Sequence, residues 1–279
     1  MKEFCSAGRR KFVASKGGVM KNIGMLTVRN EVDVINEFLD DVALYFDTVI
    51  VMDDSSDGTY EAIAARSFVK YLVKYSDVYD SKGRRTDGQK QHLFEHINKN
   101  YGYGNWITNL NADAFFMDDP NKTIEIAERE SASLIKWGTY TFYPHQEDKI
   151  VYNLGENEWA RTPIRERLSW CTDSGWPEDL QFKNAPGQAF NVNEHARVVP
   201  QGIDINSAAS IFPTLLHYPL RSPKQIVARR DDRALTGFRP PDFYEYIISR
   251  GGFVDEGFEW WNNTVKFESL KIKKITEAY

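Results

Sequence analysis

Short apolar runs alternate with helix-like segments through the first half of this chain. Four runs each stop abruptly at polar residues, as buried parallel strands do: 23–28, 48–52, 69–73 and 106–110. Four segments between and after them predict helices: 32–45, a helix beginning near Thr59, 89–100 and 121–130. This alternation predicts an α/β fold with a mostly parallel central sheet flanked by helices.

The periodicity weakens outside this part of the chain. Residues 1–21 are basic and aperiodic, so we predict an N-terminal arm there. Residues 147–197 are polar and rich in Trp and Arg, which is typical of irregular active-site loops. A helix is predicted over 223–233, with Ser222 as its cap. We expect one main domain over 22–235, and 236–279 to form a helical or irregular C-terminal extension.

Composition narrows the classes of protein. Hydrophobic residues make up 42% of the chain and charged residues 27%, which predicts a folded protein with a sizeable core. The net charge of −5 argues against a nucleic-acid partner. No apolar run is long enough to span a membrane, no signal peptide is evident, and the two cysteines have no metal-site spacing. We expect a cytoplasmic protein, and leave open a peripheral membrane contact through Trp260 and Trp261.

Polar clusters follow three of the predicted strands. They comprise residues 29–31, Asp53 with Asp54, and residues 111–113. In an open α/β sheet, ligands bind beyond the carboxyl ends of the strands, so we expect these clusters to converge on one crevice.

The chemistry of these clusters points to a metal-bridged diphosphate. No glycine-rich phosphate loop is present, which disfavours dinucleotide-binding and P-loop enzymes. A carboxylate and a diphosphate are both negatively charged, so a carboxylate does not bind a diphosphate directly. A bridging Mg²⁺ or Mn²⁺ ion, which prefers oxygen ligands, can hold the two together. Asp113 is therefore a candidate metal ligand, and Asp54 and Glu31 are candidates for binding the base and ribose of a nucleotide.

Four segments resemble the motifs of family 2 glycosyltransferases of the GT-A fold. They read TVRNE at 27–31, VMDDSSDGT at 51–59, WITNLNADAFF at 106–116 and LHYPLRS at 216–222. The resemblance is closest to the branch whose third motif usually reads Asp-Ala-Asp-Glu-Phe, and it covers roughly residues 22–235. It implies a Rossmann-like domain with a nucleotide-binding half over 22–120 and an acceptor-side half over 121–235.

The resemblance also assigns roles to single residues. It implies that Asp54 binds the nucleobase, and that Arg29 and Glu31 lie against the nucleotide. Asp113 would bind a divalent cation that bridges the diphosphate, and His217 would be a further metal or phosphate contact.

Three more residues complete the predicted nucleotide site. Asp53 and Asn111 stand beside these positions in the motifs, and Arg85, next to Arg84, would clamp the diphosphate. Arg84 and Arg85 could instead form only a solvated turn.

The catalytic base is predicted at Glu178 and Asp179. In inverting members of the family that the sequence resembles, a late aspartate, often within an acidic pair near a helix start, deprotonates the acceptor hydroxyl, and this pair fits that description. The pair could instead be only a helix cap, and Asp173 is a second candidate for the base.

The expected reaction moves a sugar from a nucleotide-diphosphate sugar to a hydroxyl of a glycan or glycolipid, with inversion. Asn111 and Ala114 depart from the motif, at positions where Asp and Glu are expected. A protein that binds a nucleotide-sugar without transferring the sugar is therefore one alternative. A nucleotidyltransferase is another, although its usual glycine-rich signature is absent.

Overall fold

A computed structural model describes residues 20–79, 88–153, 155, 159, 161–173, 178–190, 199–235, 242–255 and 265–266. The strands within these ranges are β1 (Asn22–Val28), β2 (Val49–Asp53), β3 (Val69–Lys74), β4 (Trp106–Leu110), β5 (Ala114–Phe116), β6 (Leu134–Tyr143), β7 (Trp170–Asp173), β8 (Glu178–Lys183), β9 (Thr214–His217) and β10 (Val265–Lys266). The helices are α1 (Ile35–Val42), α2 (Thr59–Ala64), α3 (Gly88–Tyr101), α4 (Pro120–Arg129), α5 (Lys149–Tyr152), α6 (Ile164–Arg167), α7 (Pro223–Leu235) and α8 (Asp242–Ser249).

The described strands form a mixed sheet in the order β10-β7-β6-β8-β4-β1-β2-β3, with β5 and β9 joined to β6. Strands β4, β1, β2 and β3 are parallel to one another. Strand β8 then pairs antiparallel with both β4 and β6. The α/β class is confirmed, but the prediction of a mostly parallel sheet is wrong for the half beyond β4.

Two apolar layers cover the faces of the parallel half. Side chains alternate along β1, so that Met25 joins the cluster formed with Leu93 of α3, while Leu26 joins the cluster formed with Phe38 of α1. Burial on both faces explains why β2 is a continuous apolar run whose five residues are all buried. The predicted helices are confirmed at α1, α2, α3, α4 and α7, with shifted ends.

Two strands occupy a segment that we predicted to be irregular, because β7 and β8 lie within 147–197. In β8 the fully buried Gln181 accepts hydrogen bonds from Thr123 at 2.9 Å and from the Trp137 indole at 3.0 Å. Its amide nitrogen donates to Thr108 at 3.0 Å and to the Pro120 carbonyl at 3.2 Å. A polar residue at a buried strand position interrupts the apolar pattern from which a strand is predicted. Its burial would cost free energy without the hydrogen bonds to residues distant in the sequence.

The C-terminal extension begins by packing on the main domain. Tyr244 and Ile247 of α8 form an apolar cluster with Ile226 of α7 and with Leu220. The predicted arm lies outside the described residues except for Met20 and Lys21, and Trp260 and Trp261 also lie outside them. In the part of the chain that the structure describes, no helix is long and apolar enough to cross a membrane.

Candidate functional site

The loops that follow β1 and β2 are tied together at the carboxyl edge of the sheet. Asn30 has a left-handed backbone (φ 54°), and its side-chain oxygen accepts from the Ser56 N–H at 2.9 Å. Its own N–H donates to the Ser55 hydroxyl at 2.8 Å. Left-handed backbone is rare outside glycine but is tolerated by asparagine, which explains the residue type in this turn.

Asp53 serves this turn. One carboxylate oxygen accepts from the Ser55 hydroxyl at 2.7 Å and the other from the Ser55 N–H at 3.1 Å. The residue is buried, and burial raises its pKa while the two hydrogen bonds from Ser55 oppose that rise. Both oxygens thus have donors within the loop, so Asp53 stabilises this turn, and its contact to a nucleotide stays a prediction.

Asp54 is at the accessible rim of the site. The Arg29 guanidinium donates to Asp54 at 2.5 Å and to Asp232 of α7 at 2.7 Å. The side chains of Arg29 and Asp54 are 19% and 26% exposed. This rim, which we define as Arg29, Asp54 and Asp232, is therefore open to a ligand.

The floor of the site is built around Arg221, whose side chain is fully buried. Its guanidinium bonds Asp33 through Nε and Nη2, both at 2.8 Å, and also pairs with Glu31. Its Nη1 donates to the Tyr218 carbonyl at 3.0 Å. We define the floor as Arg221, Glu31 and Asp33.

The two carboxylates of the floor differ in their pKa directions. Burial raises the pKa of Glu31, and the like charge of Asp113 adds to this rise, while the charges of Arg221 and Arg229 oppose it without cancelling it. Burial acts in the same direction on Asp33, but the two hydrogen bonds and the charge of Arg221 outweigh it and lower the pKa of Asp33.

Asp113 lies between the floor and α7. Its Oδ2 accepts from Arg229 at 3.0 Å and is 4.0 Å from Arg221, while its Oδ1 is 3.6 Å from Nε2 of His217. His217 reaches this position because β9 pairs with β5 in a register that sets it opposite Ala114. Burial would raise the pKa of Asp113, but the charges of His217, Arg229 and Arg221 hold it well below its usual value.

The three acidic residues that we expected to converge therefore all connect to α7, through two sets of ion pairs. Glu31 and Asp113 both lie close to Arg229, whose distance to Glu31 is 3.6 Å. Asp54 is connected through Arg29 to Asp232, three positions after Arg229 on α7. Residues three apart on a helix share a face, so one face of α7 contacts both the rim and Asp113.

Asp113 and His217 have the donor atoms for a divalent cation. Among the described residues there is no group of three or more His, Cys, Asp or Glu side chains that could enclose an ion. However, Mg²⁺ and Mn²⁺ at nucleotide sites commonly take one or two protein ligands and complete their coordination with phosphate oxygens and water. One carboxylate with a histidine beside it fits that requirement, although a guanidinium now contacts the carboxylate.

Asn111 is exposed at the end of β4, and its carbonyl accepts from the Ala114 N–H at 3.0 Å. A cavity of about 10 Å³ lies beside it, lined by Thr27, Asn109 and Lys90 of α3 among others. This is close to the smallest space that can hold one water molecule. Lys90 thus adds a lysine to the arginines at the carboxyl edge of the sheet.

Glu178 and Asp179 begin strand β8, opposite Trp137 and Lys136 of β6. The prediction that they lie at a helix start is wrong, because they are part of the sheet. Since β8 runs antiparallel to β4, its first residues lie at the carboxyl end of β4, the same edge as Asp113. The predicted clamp at Arg85 lies outside the described residues, and Asp173 ends β7 opposite Tyr140.

Sequence reasoning missed four residues of the network: Asp33, Arg221, Arg229 and Asp232. One signal was present, since the segment of α7 carries Arg229, Asp232 and Arg233 at helical spacing with few apolar residues. Charges on every face of a helix that packs on the domain indicate that some of them are paired beneath it.

A larger pocket lies elsewhere in the described part of the chain. A surface pocket of about 560 Å³ opens beside Gly104, Asn184 and Gln188, at the amino end of β4. Its Asn184 and Gln188 amides are bonded to neighbouring backbone groups. We assign the functional site to the carboxyl edge because the ionisable groups converge there, and volume alone does not indicate chemistry.

No family model matches the sequence, and no curated protein matches it significantly.

Proposed function

We propose that this protein is a glycosyltransferase of the GT-A fold that uses a nucleotide-diphosphate sugar as donor. The observation that carries the proposal is that Glu31, Asp54 and Asp113, which follow three different parallel strands, all connect through ion pairs to one face of α7. Ligands of open α/β sheets bind at this edge. The late motif residue His217 reaches the same place from a distant part of the chain.

The rim and the loops beneath it would bind the nucleoside. Asp54 and Arg29 are partly exposed and can exchange their mutual ion pair for contacts to a base and ribose. Asp53 and Asn30 would stabilise the loop through hydrogen bonds within it. Side chains fixed by such neighbours keep the binding geometry preorganised.

Asp113 and His217 would hold a Mg²⁺ or Mn²⁺ ion that neutralises the leaving diphosphate. The lowered pKa of Asp113 means that this carboxylate is ionised at neutral pH. Arg221 keeps Glu31 at the floor, where its carboxylate faces the same space as Asp113.

The acceptor would approach from the antiparallel half of the sheet. Glu178 and Asp179, at the start of β8, are the carboxylates that we propose as the base for an acceptor hydroxyl. Direct displacement would then invert the sugar carbon. We infer a glycan or glycolipid acceptor and a cytoplasmic site of action.

A nucleotide-binding screen tests the proposal. The full chain is heated with UDP, GDP, dTDP and CMP, each with and without Mn²⁺, and the shift in melting temperature is measured. We expect one nucleotide to stabilise the protein, more strongly with Mn²⁺, and Asp54→Asn to lose that shift. Stabilisation by none of them would contradict the proposal.

A second function has one observation in its favour. Asn111 supplies no carboxylate, and Asp113 already has Arg229 as a partner, which suits a protein that binds a nucleotide-sugar without transferring the sugar. Measuring release of the nucleoside diphosphate separates the two. Turnover supports transfer, whereas tight binding without turnover, unchanged in Asn111→Asp, supports the binding protein.

A further inference from the structure

We propose that Arg229 occupies the cation position on Asp113 in the free protein and moves to the donor diphosphate when the metal-bound nucleotide arrives. The inference rests on the proposed nucleotide site and assigns a new residue to it. Metal and nucleotide would then bind cooperatively. The metal must displace the guanidinium from Asp113, and the diphosphate gives the displaced guanidinium a new partner.

Arg229 contacts the carboxylate that would bind the ion. Its Nη1 is 3.0 Å from Oδ2 of Asp113 and 3.6 Å from Oε1 of Glu31. A divalent ion bound by Asp113 would lie against this guanidinium and be repelled by it. A metal alone must therefore displace Arg229 from a buried carboxylate.

Arg229 differs from the neighbouring Arg221 in its exposure and in the number of its hydrogen bonds. Arg221 is fully buried and bonds Asp33, Glu31 and the Tyr218 carbonyl. Arg229 is 20% exposed and comes from a helix rather than from the buried turn. One arginine is thus locked into the floor, while the other lies at the opening, where a phosphate could reach it.

A diphosphate offers Arg229 a better partner than the metal-occupied carboxylate. The planar guanidinium matches pairs of phosphate oxygens, and such charge-assisted pairs are strong. The same helix holds the nucleoside side of the site through Asp232 and Arg29. One helix would therefore present Arg229 to the diphosphate and Asp232 to the rim beside the nucleoside.

Titration of Mn²⁺ into the full chain, with bound and free ion measured by electron paramagnetic resonance, tests the inference. In the wild type we expect weak Mn²⁺ binding that the nucleoside diphosphate chosen by the melting screen tightens about tenfold or more. In Arg229→Gln we expect Mn²⁺ alone to bind about tenfold tighter, with most of that cooperativity lost. Arg229→Lys, which keeps the charge, should bind Mn²⁺ alone as weakly as the wild type.

The matched control is Arg230→Gln, which removes an adjacent arginine paired with Asp231 and Glu245 at the surface. Its Mn²⁺ affinity should not change. Unchanged Mn²⁺ affinity in Arg229→Gln would overturn the inference. If that variant does not fold, equal Mn²⁺ affinity of the wild type with and without bound nucleotide would overturn it. Failure of the wild type to bind any nucleotide contradicts the proposed function instead, and the metal-only titration still tests Arg229.

Discussion

The floor and the rim of the site are both built from arginine and carboxylate, but they differ in their access to water. Arg221 in the floor is fully buried, whereas Arg29 and Asp54 in the rim are 19% and 26% exposed. Removing one partner of a buried ion pair strongly destabilises a protein, because the remaining charge is neither paired nor hydrated. A partly exposed pair contributes little to stability, so its side chains can exchange the ion pair for contacts to a ligand at little cost.

The largest expected effect is on the floor. Arg221→Met should lower the free energy of unfolding by about 3–5 kcal/mol, because Glu31, whose side chain is 12% exposed, loses its partner and Asp33 loses both of its hydrogen bonds from Arg221. Urea unfolding measures this as a lower midpoint at an unchanged slope.

The control for the floor is an exposed pair of the same chemistry. Arg66 and Asp40 are 2.7 Å apart, with side chains 27% and 68% exposed. Arg66→Met should lower the unfolding free energy by less than about 1 kcal/mol. Equal losses in the two variants would show that burial does not distinguish the floor from surface pairs.

Three acidic residues of the site could be predicted from the sequence, but Arg221 and Arg229, which pair with two of them, could not. The three strands that end in acidic residues could be predicted, because β1, β2 and β4 are apolar runs with polar residues directly after them. Arg221 pairs with Glu31 across 190 positions, and Arg229 bonds Asp113 across 116. No local periodicity encodes a contact between segments so far apart.

The antiparallel half of the sheet escaped prediction for a related reason. Gln181 is a polar residue in the middle of β8, and its burial depends on Thr108, Thr123 and Trp137. Those partners come from a helix and two other strands. Without knowledge of them, the segment has the composition of a loop.

An intermediate effect is expected at Asp113, between floor and rim. Asp113→Asn should lower the unfolding free energy at neutral pH by about 1.5–3 kcal/mol, since Arg229 loses a charged partner. The pKa of Asp113 is lowered by its neighbours, so the stability that it contributes is present above its unfolded pKa of about 3.9. That contribution is lost as the pH falls below this value through the folded pKa.

Denaturant unfolding at several pH values between about 6 and 2 checks this sign. The free-energy difference between wild type and Asp113→Asn should shrink as the pH falls below about 3.9. Asp40→Asn, which changes an exposed carboxylate, should differ from the wild type by less than about 0.5 kcal/mol throughout. A difference at Asp113 that grows with acidity would show that the carboxylate is not held ionised by its neighbours.

The smallest effect on stability, but a large one on binding, is expected at the rim. Asp54→Asn should lower the unfolding free energy by less than about 1 kcal/mol, because its pair with Arg29 is partly exposed. Calorimetric titration should show the same variant binding its nucleotide about tenfold or more weakly, a loss of about 1.4 kcal/mol of binding free energy. The substitution would then change nucleotide affinity much more than the free energy of unfolding, which is the result expected for a side chain that binds a ligand.

Asp40→Asn is again the matched control, since it removes one carboxylate from an exposed arginine pair on another surface. We expect its stability to change as little as that of Asp54→Asn, with unchanged nucleotide affinity. If both variants bind nucleotide like the wild type, Asp54 is an ordinary surface acid and the rim is not the nucleoside site. If Asp54→Asn instead unfolds as readily as Arg221→Met, the rim is structural, and exposure does not separate the two regions.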